Sequence, residues 1–261
     1  MNQIAQRGFE RHVDSFEASF VSALERSDLR HAPFDHVYME DVFDRSDYQA
    51  LLTGMPDRQF YHELVHLDAM RSDGSSTRFR MYLYPELLRQ LPPAQRRLWR
   101  PIGQALCSPR LEKAFKRKFR SALEERFKKS VDRLRLYPVP ILLRDQPGYR
   151  IGIHADSPNK AITVQYYLPR DESQRHIGTI FHEGENGEAA SRTTQMQFLP
   201  SSGYAFPVSL TKSWHSAATT TDEDGERVSM MVTYYVTDDL GAWMKYRLRR
   251  IALLFGVHPK G

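Results

Sequence analysis

Gly148-Tyr149-Arg150-Ile151-Gly152-Ile153-His154-Ala155-Asp156 sets a histidine and a carboxylate two residues apart behind a glycine-rich approach. Residues two apart on a strand point to the same side, and at about 3.3 Å per residue His154 and Asp156 start roughly 6.6 Å apart, close enough to converge on one cation. His-x-Asp also occurs at His12/Asp14 and His66/Asp68, so the motif alone decides nothing. The first copy lies among Phe9, Val13, Phe16, Phe20 and Leu24, apolar residues at helical spacing. On a helix, residues two apart diverge, and His12 and Asp14 are read as solvent-facing.

The third copy has company. A further imidazole stands in Lys212-Ser213-Trp214-His215, and twelve residues beyond it Arg227-Val228-Ser229 repeats the alternating pattern on one strand face. His154, Asp156 and His215 would form a 2-His-1-carboxylate facial triad, which leaves positions on Fe(II) open for a chelating co-substrate and O2. The planar fork of Arg227 suits the far carboxylate of a dicarboxylic acid, with Ser229 adding a third hydrogen bond.

From about Tyr137 to Thr237 the chain resembles the iron(II)/2-oxoglutarate-dependent dioxygenases of the prolyl-hydroxylase-like kind. The matching pieces are Pro147-Gly148 ahead of His154-Ala155-Asp156, the strand from Ala161 to Leu168, Ile177-Gly178-Thr179-Ile180-Phe181, Phe198-Leu199-Pro200, Gly203-Tyr204-Ala205-Phe206, His215 and Arg227-Val228-Ser229. The resemblance implies that His154, Asp156 and His215 bind iron, and that Arg227, helped by Ser229, binds 2-oxoglutarate, with O2 as second co-substrate. By position in the family, Thr163, Gln165 or Tyr149 would hydrogen-bond 2-oxoglutarate or substrate. Lys160, just past the ligand pair, would reach a substrate anion or else occupy a solvent-facing turn. Family halogenases leave the carboxylate position to a small residue. Asp156 therefore implies hydroxylation of an unactivated C–H bond with release of succinate and CO2, desaturation or another oxidative outcome remaining open. Nucleic-acid repair members carry a second arginine just beyond the first, whereas Val228 to Thr233 contains none, which disfavours base repair. The expected substrate is a small molecule: an amino acid, a sugar or a natural-product intermediate.

The expected fold class is α+β, with a double-stranded β-helix (jelly-roll or cupin-like) core and supporting N-terminal, central and C-terminal helices. Short β-branched and aromatic runs alternate with turn signals from 135 to 237: Gln146-Pro147-Gly148, Ser157-Pro158-Asn159, Gly184-Glu185-Asn186-Gly187, Ser201-Ser202-Gly203 and Asp222-Glu223-Asp224-Gly225. That spacing suits an antiparallel barrel. The 261 residues, 41% hydrophobic, suffice for one domain: helical support and lid at 1–134, jelly-roll core at 135–237, C-terminal helix at 238–261. The lone Cys107 excludes an internal disulfide and agrees with a reducing cytoplasm. No signal-like apolar run opens the chain and no membrane span is evident, so a cytoplasmic protein is expected.

Ahead of the core, a helix is expected over residues 8–29, a short strand within Pro33–Phe43, and a helix from Asp44 to Met55 capped by an acidic residue. His62-Glu63-Leu64-Val65-His66 matches His-Glu-x-x-His, which on a helix from Asp57 to Met70 would present a zinc site with Glu63 as general base and Glu86 as the one tempting further ligand. That zinc-hydrolase alternative leaves the ordered residues from 147 to 229 without a role. A non-catalytic jelly-roll module is the other alternative. Arg71 to Tyr84 reads as a polar loop feeding a strand, where Arg78 or Arg80 would meet an anionic substrate group.

Between Pro93 and Arg135 the chain reads as helical. Leu111, Phe115, Phe119, Leu123 and Phe127 form a stripe that would support a sheet. Residues 110–135 hold eleven Lys/Arg against four Asp/Glu, a local excess of +7 above the chain's +5, fitting a solvated face or an anionic or acidic partner. Nucleic acid is disfavoured, since no recognition motif accompanies the charge. Asp238 to Phe255, with Trp243, Met244, Leu248, Ile251 and Leu254, reads as an amphipathic helix with a basic outer face.

Overall fold

Two antiparallel sheets face each other, and the cavity between them is where the sequence-derived candidates meet. The structure is a computed structural model that describes residues 3–65, 67–184 and 192–258. In chain order the strands are β1 (Val37–Met39), β2 (His62–Glu63), β3 (Arg78–Tyr82), β4 (Leu136–Asp145), β5 (Ile151–His154), β6 (Lys160–Tyr167), β7 (Thr179–His182), β8 (Thr193–Met196), β9 (Gly203–Pro207), β10 (His215–Ala217) and β11 (Arg227–Val236). Seven form one sheet in the order β1-β9-β6-β11-β4-β3-β2, and four form the other in the order β5-β10-β7-β8. This is the expected double-stranded β-helix, with partners distant in sequence brought side by side.

β11 shows why these residues make a central strand. It pairs with β4 from Arg227↔Asp145 to Val236↔Leu136, and with β6 on its other edge. Its apolar content runs through both faces because both are covered. Tyr234 meets Phe115 with ring centroids 5.7 Å apart on the helical side. Thr233 and Tyr235, one residue either way, turn into the cavity.

The helical layer is α1 (Gln3–Arg26), α2 (Arg45–Thr53), α3 (Pro93–Leu106), α4 (Pro109–Lys118), α5 (Arg120–Phe127) and α6 (Leu240–Leu254). Asp44 caps α2 by accepting from the Asp47 N–H at 2.8 Å, the acidic cap the sequence implies. The expected helical stretch from Pro93 is cut into pieces by Ser108, which caps α4 ahead of Pro109, and by Lys128 in the left-handed conformation after α5. Leu111, Phe115, Phe119 and Leu123 are buried in the main core with Phe20, Trp99, Tyr166 and Tyr234, and Phe127 packs at its edge. The Trp99 indole donates to the Gly54 carbonyl at 2.7 Å, which satisfies its one polar atom.

Two expectations are corrected. Asp57 to Met70 is not a helix: Arg58–Phe60 and Leu67–Ala69 are 3-10 turns, and His62 and Glu63 lie on β2 opposite Arg80 and Phe79. His66 lies outside the described residues, as do Glu185, Asn186 and Gly187 of one expected turn. The basic 110–135 segment spends its charge largely within the chain. Arg110 pairs with Glu17, Arg117 with Glu25, and Lys116 with Glu112, while Arg126 donates to the carbonyls of Pro158, Lys160 and Val208.

The second correction is α6, most of whose apolar residues face outward beside the exposed Lys245 and Arg247. Its outer surface carries Leu240, Met244, Leu248 (62% exposed) and Ile251, with Phe255 (80% exposed) just beyond, whereas Tyr246, Arg249, Arg250 and Leu253 turn inward. Arg250 grips Glu86 through two hydrogen bonds, and Tyr246 packs on Tyr235 and Tyr137. Polar groups inside outbid apolar ones because the surface beneath α6 is itself polar and aromatic. No helix among the described residues is long and apolar enough to cross a membrane.

Candidate active site

A cavity of about 470 Å³ opens between the sheets and α6. His154, Asp156 and His215 stand on its wall with one ligand atom from each within 4.8 Å of the others, and they are the one such group among the described residues. The topology causes this. His154 ends β5 and His215 begins β10, and the two are directly paired across the four-stranded sheet with ring centroids 4.3 Å apart. Asp156 lies beyond the strand, two residues after β5 ends, so the turn that follows and not strand alternation carries it to the same wall.

Each ring is oriented by the backbone. His154 Nδ1 lies 3.0 Å from the Gly152 carbonyl and His215 Nδ1 lies 3.0 Å from the Ser213 carbonyl. A carbonyl only accepts, so Nδ1 carries a proton in both rings, which leaves Nε2 as the nitrogen for a metal, the orientation that backbone carbonyls give to metal-binding imidazoles. Burial holds His215 down to about 4, and the Asp156 carboxylate offsets part of that effect. His215 is therefore neutral at pH 7. Burial pushes the Asp156 carboxyl up, but Lys160 and His215, with a hydrogen bond from Thr163 Oγ1 at 2.6 Å, outweigh it and keep the group far below the usual carboxylate range. Two imidazoles and one fixed carboxylate fit a divalent cation.

Arg227, 1% exposed, closes one end of the cavity. It donates from Nε to the Ile177 carbonyl at 3.1 Å and from one terminal nitrogen to Asp145 Oδ2 at 3.0 Å, which leaves further N–H donors on the fork. The other Asp145 oxygen lies 3.1 Å from Arg78 Nε. Two buried guanidiniums thus share one carboxylate, and this end keeps a net positive charge. Tyr149 lies under both arginines, and Phe198 packs 4.8 Å from the Arg227 guanidinium.

A polar relay runs beside them. Thr179 donates to the Tyr204 hydroxyl, which donates to the Gln165 carbonyl oxygen at 2.6 Å, and the Gln165 amide donates to Ser229 Oγ at 2.7 Å. Ser229 is therefore screened by Gln165 and does not line the cavity, whereas Thr163, Gln165 and Tyr149 do. Among the candidate substrate residues, Lys160 is bound to Asp156 and Arg78 to Asp145, so neither is available as a separate anion clamp. Arg80 lines the cavity over the Tyr82 ring. His62 lies apart, stacked on His258 at 3.5 Å, and Glu86 is paired with Arg250. The helix that the zinc reading needs is absent from 62–65.

Several residues in or beside the cavity escaped the sequence reading. Thr233 and Tyr235 continue the alternation that begins at Arg227, so their inward direction was legible. Asp145 carried a weaker signal, since only the β4–β11 register places it beside Arg227. Arg249, on α6, had none.

No family model matches the chain, and no curated protein matches it. Solved structures do. A Pseudomonas putida prolyl-4-hydroxylase superposes with a TM-score of 0.50 at 13% identity, covering 84% of this chain and 98% of its own. A 2OG-Fe(II) oxygenase family oxidoreductase from Burkholderia pseudomallei gives a TM-score of 0.48 at 14% identity, covering 84% of this chain and 89% of its own. A Trichoplax adhaerens prolyl hydroxylase in complex with a peptide gives 0.48 at 11%, covering 90% and 94%. The chain therefore has the double-stranded β-helix fold of the Pseudomonas putida prolyl-4-hydroxylase.

Proposed function

We propose that the protein is an Fe(II)/2-oxoglutarate-dependent oxygenase that hydroxylates an unactivated C–H bond of a small molecule and releases succinate and CO2. The observation that carries this reading is the placement of His154, Asp156 and His215 on one cavity wall, with Arg227 at the cavity's end. His154, Asp156 and His215 would hold the iron, which supplies the oxidising chemistry when bound to 2-oxoglutarate and O2.

The chain's own residues do the rest. The Gly152 and Ser213 carbonyls hold the imidazoles in the orientation that presents Nε2. Thr163 and Lys160 keep Asp156 ionised and fixed in direction. The remaining donors of Arg227, on a fork already anchored by Asp145 and Ile177, would receive the distal carboxylate of 2-oxoglutarate. The Gln165 and Tyr204 relay offers further polar contacts beside it. Anchoring the fork before the ligand arrives removes an ordering cost from binding.

The test is anaerobic titration of the protein with Fe(II) and then 2-oxoglutarate, followed by admission of air and measurement of succinate. Wild type is expected to bind both and form succinate, and Asp156→Ala to bind neither metal nor co-substrate. Metal binding that survives Asp156→Ala but is lost in His62→Ala would overturn the assignment.

A further inference from the structure

The cavity has a second positively charged region, delivered by α6. Arg249 lines the cavity and donates to the Tyr82 hydroxyl at 3.3 Å, while the Arg80 guanidinium stands 5.3 Å from the centre of the same Tyr82 ring. Tyr82 pairs with Ile141, and Ile141 with Met231, four residues along β11 from Arg227. At about 3.3 Å per residue, this region lies some 13 Å along the strands from the Arg227 end. Thr163, whose hydroxyl holds Asp156, is in register with Thr233, a further two residues along. The iron ligands and the Arg249 region therefore adjoin the same stretch of β11.

Two polar atoms here stand out. Arg249 Nε and Thr233 Oγ1 are both buried, and neither has a hydrogen-bond partner among the described residues. Arg249 also has no carboxylate within ion-pair distance among those residues, unlike Arg227 and Lys160, whose partners are Asp145 and Asp156. A buried donor without a partner costs about 1–3 kcal/mol, so its persistence in a cavity points to a ligand that supplies the acceptor. Burial lowers the Arg80 pKa, Tyr82 works against that, and Arg249 lowers it further. Tyr82, Tyr235, Tyr246 and Met231 give the surrounding wall an aromatic and apolar character.

We propose that the prime substrate carries an oxyanion, a carboxylate or a phosphate, which Arg249 and Arg80 grip beside Tyr82 and Thr233 while the body of the molecule lies along the tyrosine wall toward the iron ligands. This rests on the oxygenase reading and names the substrate class for it. It also separates two acids in one cavity, that of the co-substrate at Arg227 and that of the substrate at Arg249.

The experiment uses the full chain and binding alone as readout. Wild type, Arg249→Met and Arg249→Lys are titrated calorimetrically with 2-oxoglutarate in the presence of Mn(II). The saturated proteins are then titrated with phenylacetate, phenyl phosphate and the uncharged phenylacetamide. Wild type is expected to bind one of the two anions at least tenfold more tightly than phenylacetamide, and whichever binds better identifies the acid. Arg249→Met is expected to lose about ten- to hundredfold of that affinity while leaving 2-oxoglutarate affinity unchanged. Arg249→Lys, which keeps the charge without the fork, should fall between.

Equal affinity for phenylacetate, phenyl phosphate and phenylacetamide overturns the proposal. So does an unchanged anion affinity in Arg249→Met, or a loss of 2-oxoglutarate binding there, which would assign the arginine to the co-substrate. Hydrogen exchange across 240–254 shows whether α6 stays docked in each variant, and weakened anion binding with α6 undocked in Arg249→Lys as well as Arg249→Met counts against a ligand role. If 2-oxoglutarate fails to bind wild type, the oxygenase reading falls, and the three probes titrated into metal-free protein still decide whether Arg249 holds an anion.

Discussion

The Arg227 guanidinium donates to the Asp145 carboxylate at 3.0 Å with both side chains at most 1% exposed, and Arg78 approaches the other carboxylate oxygen. One buried anion thus holds two buried cations.

Asp145→Ala should therefore be among the most damaging single changes in the chain. It leaves Arg78 and Arg227 uncompensated in a dry site, and breaking a buried pair in this way typically costs about 3–5 kcal/mol. Denaturant unfolding of wild type and variant measures it. A loss below about 1 kcal/mol would mean that water reaches the two arginines, since exposed pairs are worth no more than that.

Metal affinity should separate ligands from the groups that orient them. Asp156→Ala and His215→Ala are expected to abolish Fe(II) or Mn(II) binding under anaerobic calorimetry. Thr163→Val, which removes the 2.6 Å hydrogen bond to Asp156, is expected to weaken it by about 10–100-fold. Identical behaviour of the ligand and Thr163 variants would contradict this division of roles.

Gly178 precedes β7 where the chain runs against the backbone of β8. A Cβ there would lie 1.8 Å from the Met196 carbonyl oxygen, and backbone cannot rotate away. Gly178→Ala should cost about 3 kcal/mol or more. Gly8, within α1, has nothing within 4 Å of the same built atom, and Gly8→Ala should stabilise by about 0.5–1 kcal/mol. The two denaturation midpoints, moving in opposite directions, check the pair.

Docking of α6 should loosen in acid. Burial raises the Glu86 carboxyl, but its hydrogen bonds from Arg250 more than offset this and hold it below its ordinary value. A depressed carboxylate contributes stability above the unfolded value of about 4.3 and loses it as pH falls through the lower folded value. The pair is about a third exposed, so the effect is under about 1 kcal/mol. Hydrogen exchange in 240–254 should rise across that acid window in wild type, and the step should vanish in Glu86→Gln.

The candidate site was legible where alternation along a strand carried it. The Arg227 face needed only a two-residue period, which the backbone of β11 imposes, whereas Asp156 reaches the wall from the turn after β5. The outward apolar side of α6 was not legible, because its residues have the spacing of a buried stripe and nothing local says that the opposing surface is polar. The helix expected from Asp57 failed for a related reason. Phe60 and Leu64 fit a helical period, yet pairing of His62 and Glu63 with β3 fixed them as a strand edge. Asp145 and Arg249 depend on contacts across 82 and 167 residues, a range that spacing cannot reach.

The two sheets impose a gauge on the chemistry. His154 and His215 ride on the four-stranded sheet and Arg227 on the seven-stranded one, so the span from the paired imidazoles to the guanidinium follows the packing between the sheets, where Tyr204, Phe181 and Phe206 cluster and Phe206 lies 5.0 Å from the His215 ring. Trimming those aromatics would shorten or slacken that span without touching a ligand. The reach between the two ends of the cavity is thus written in its aromatic filling.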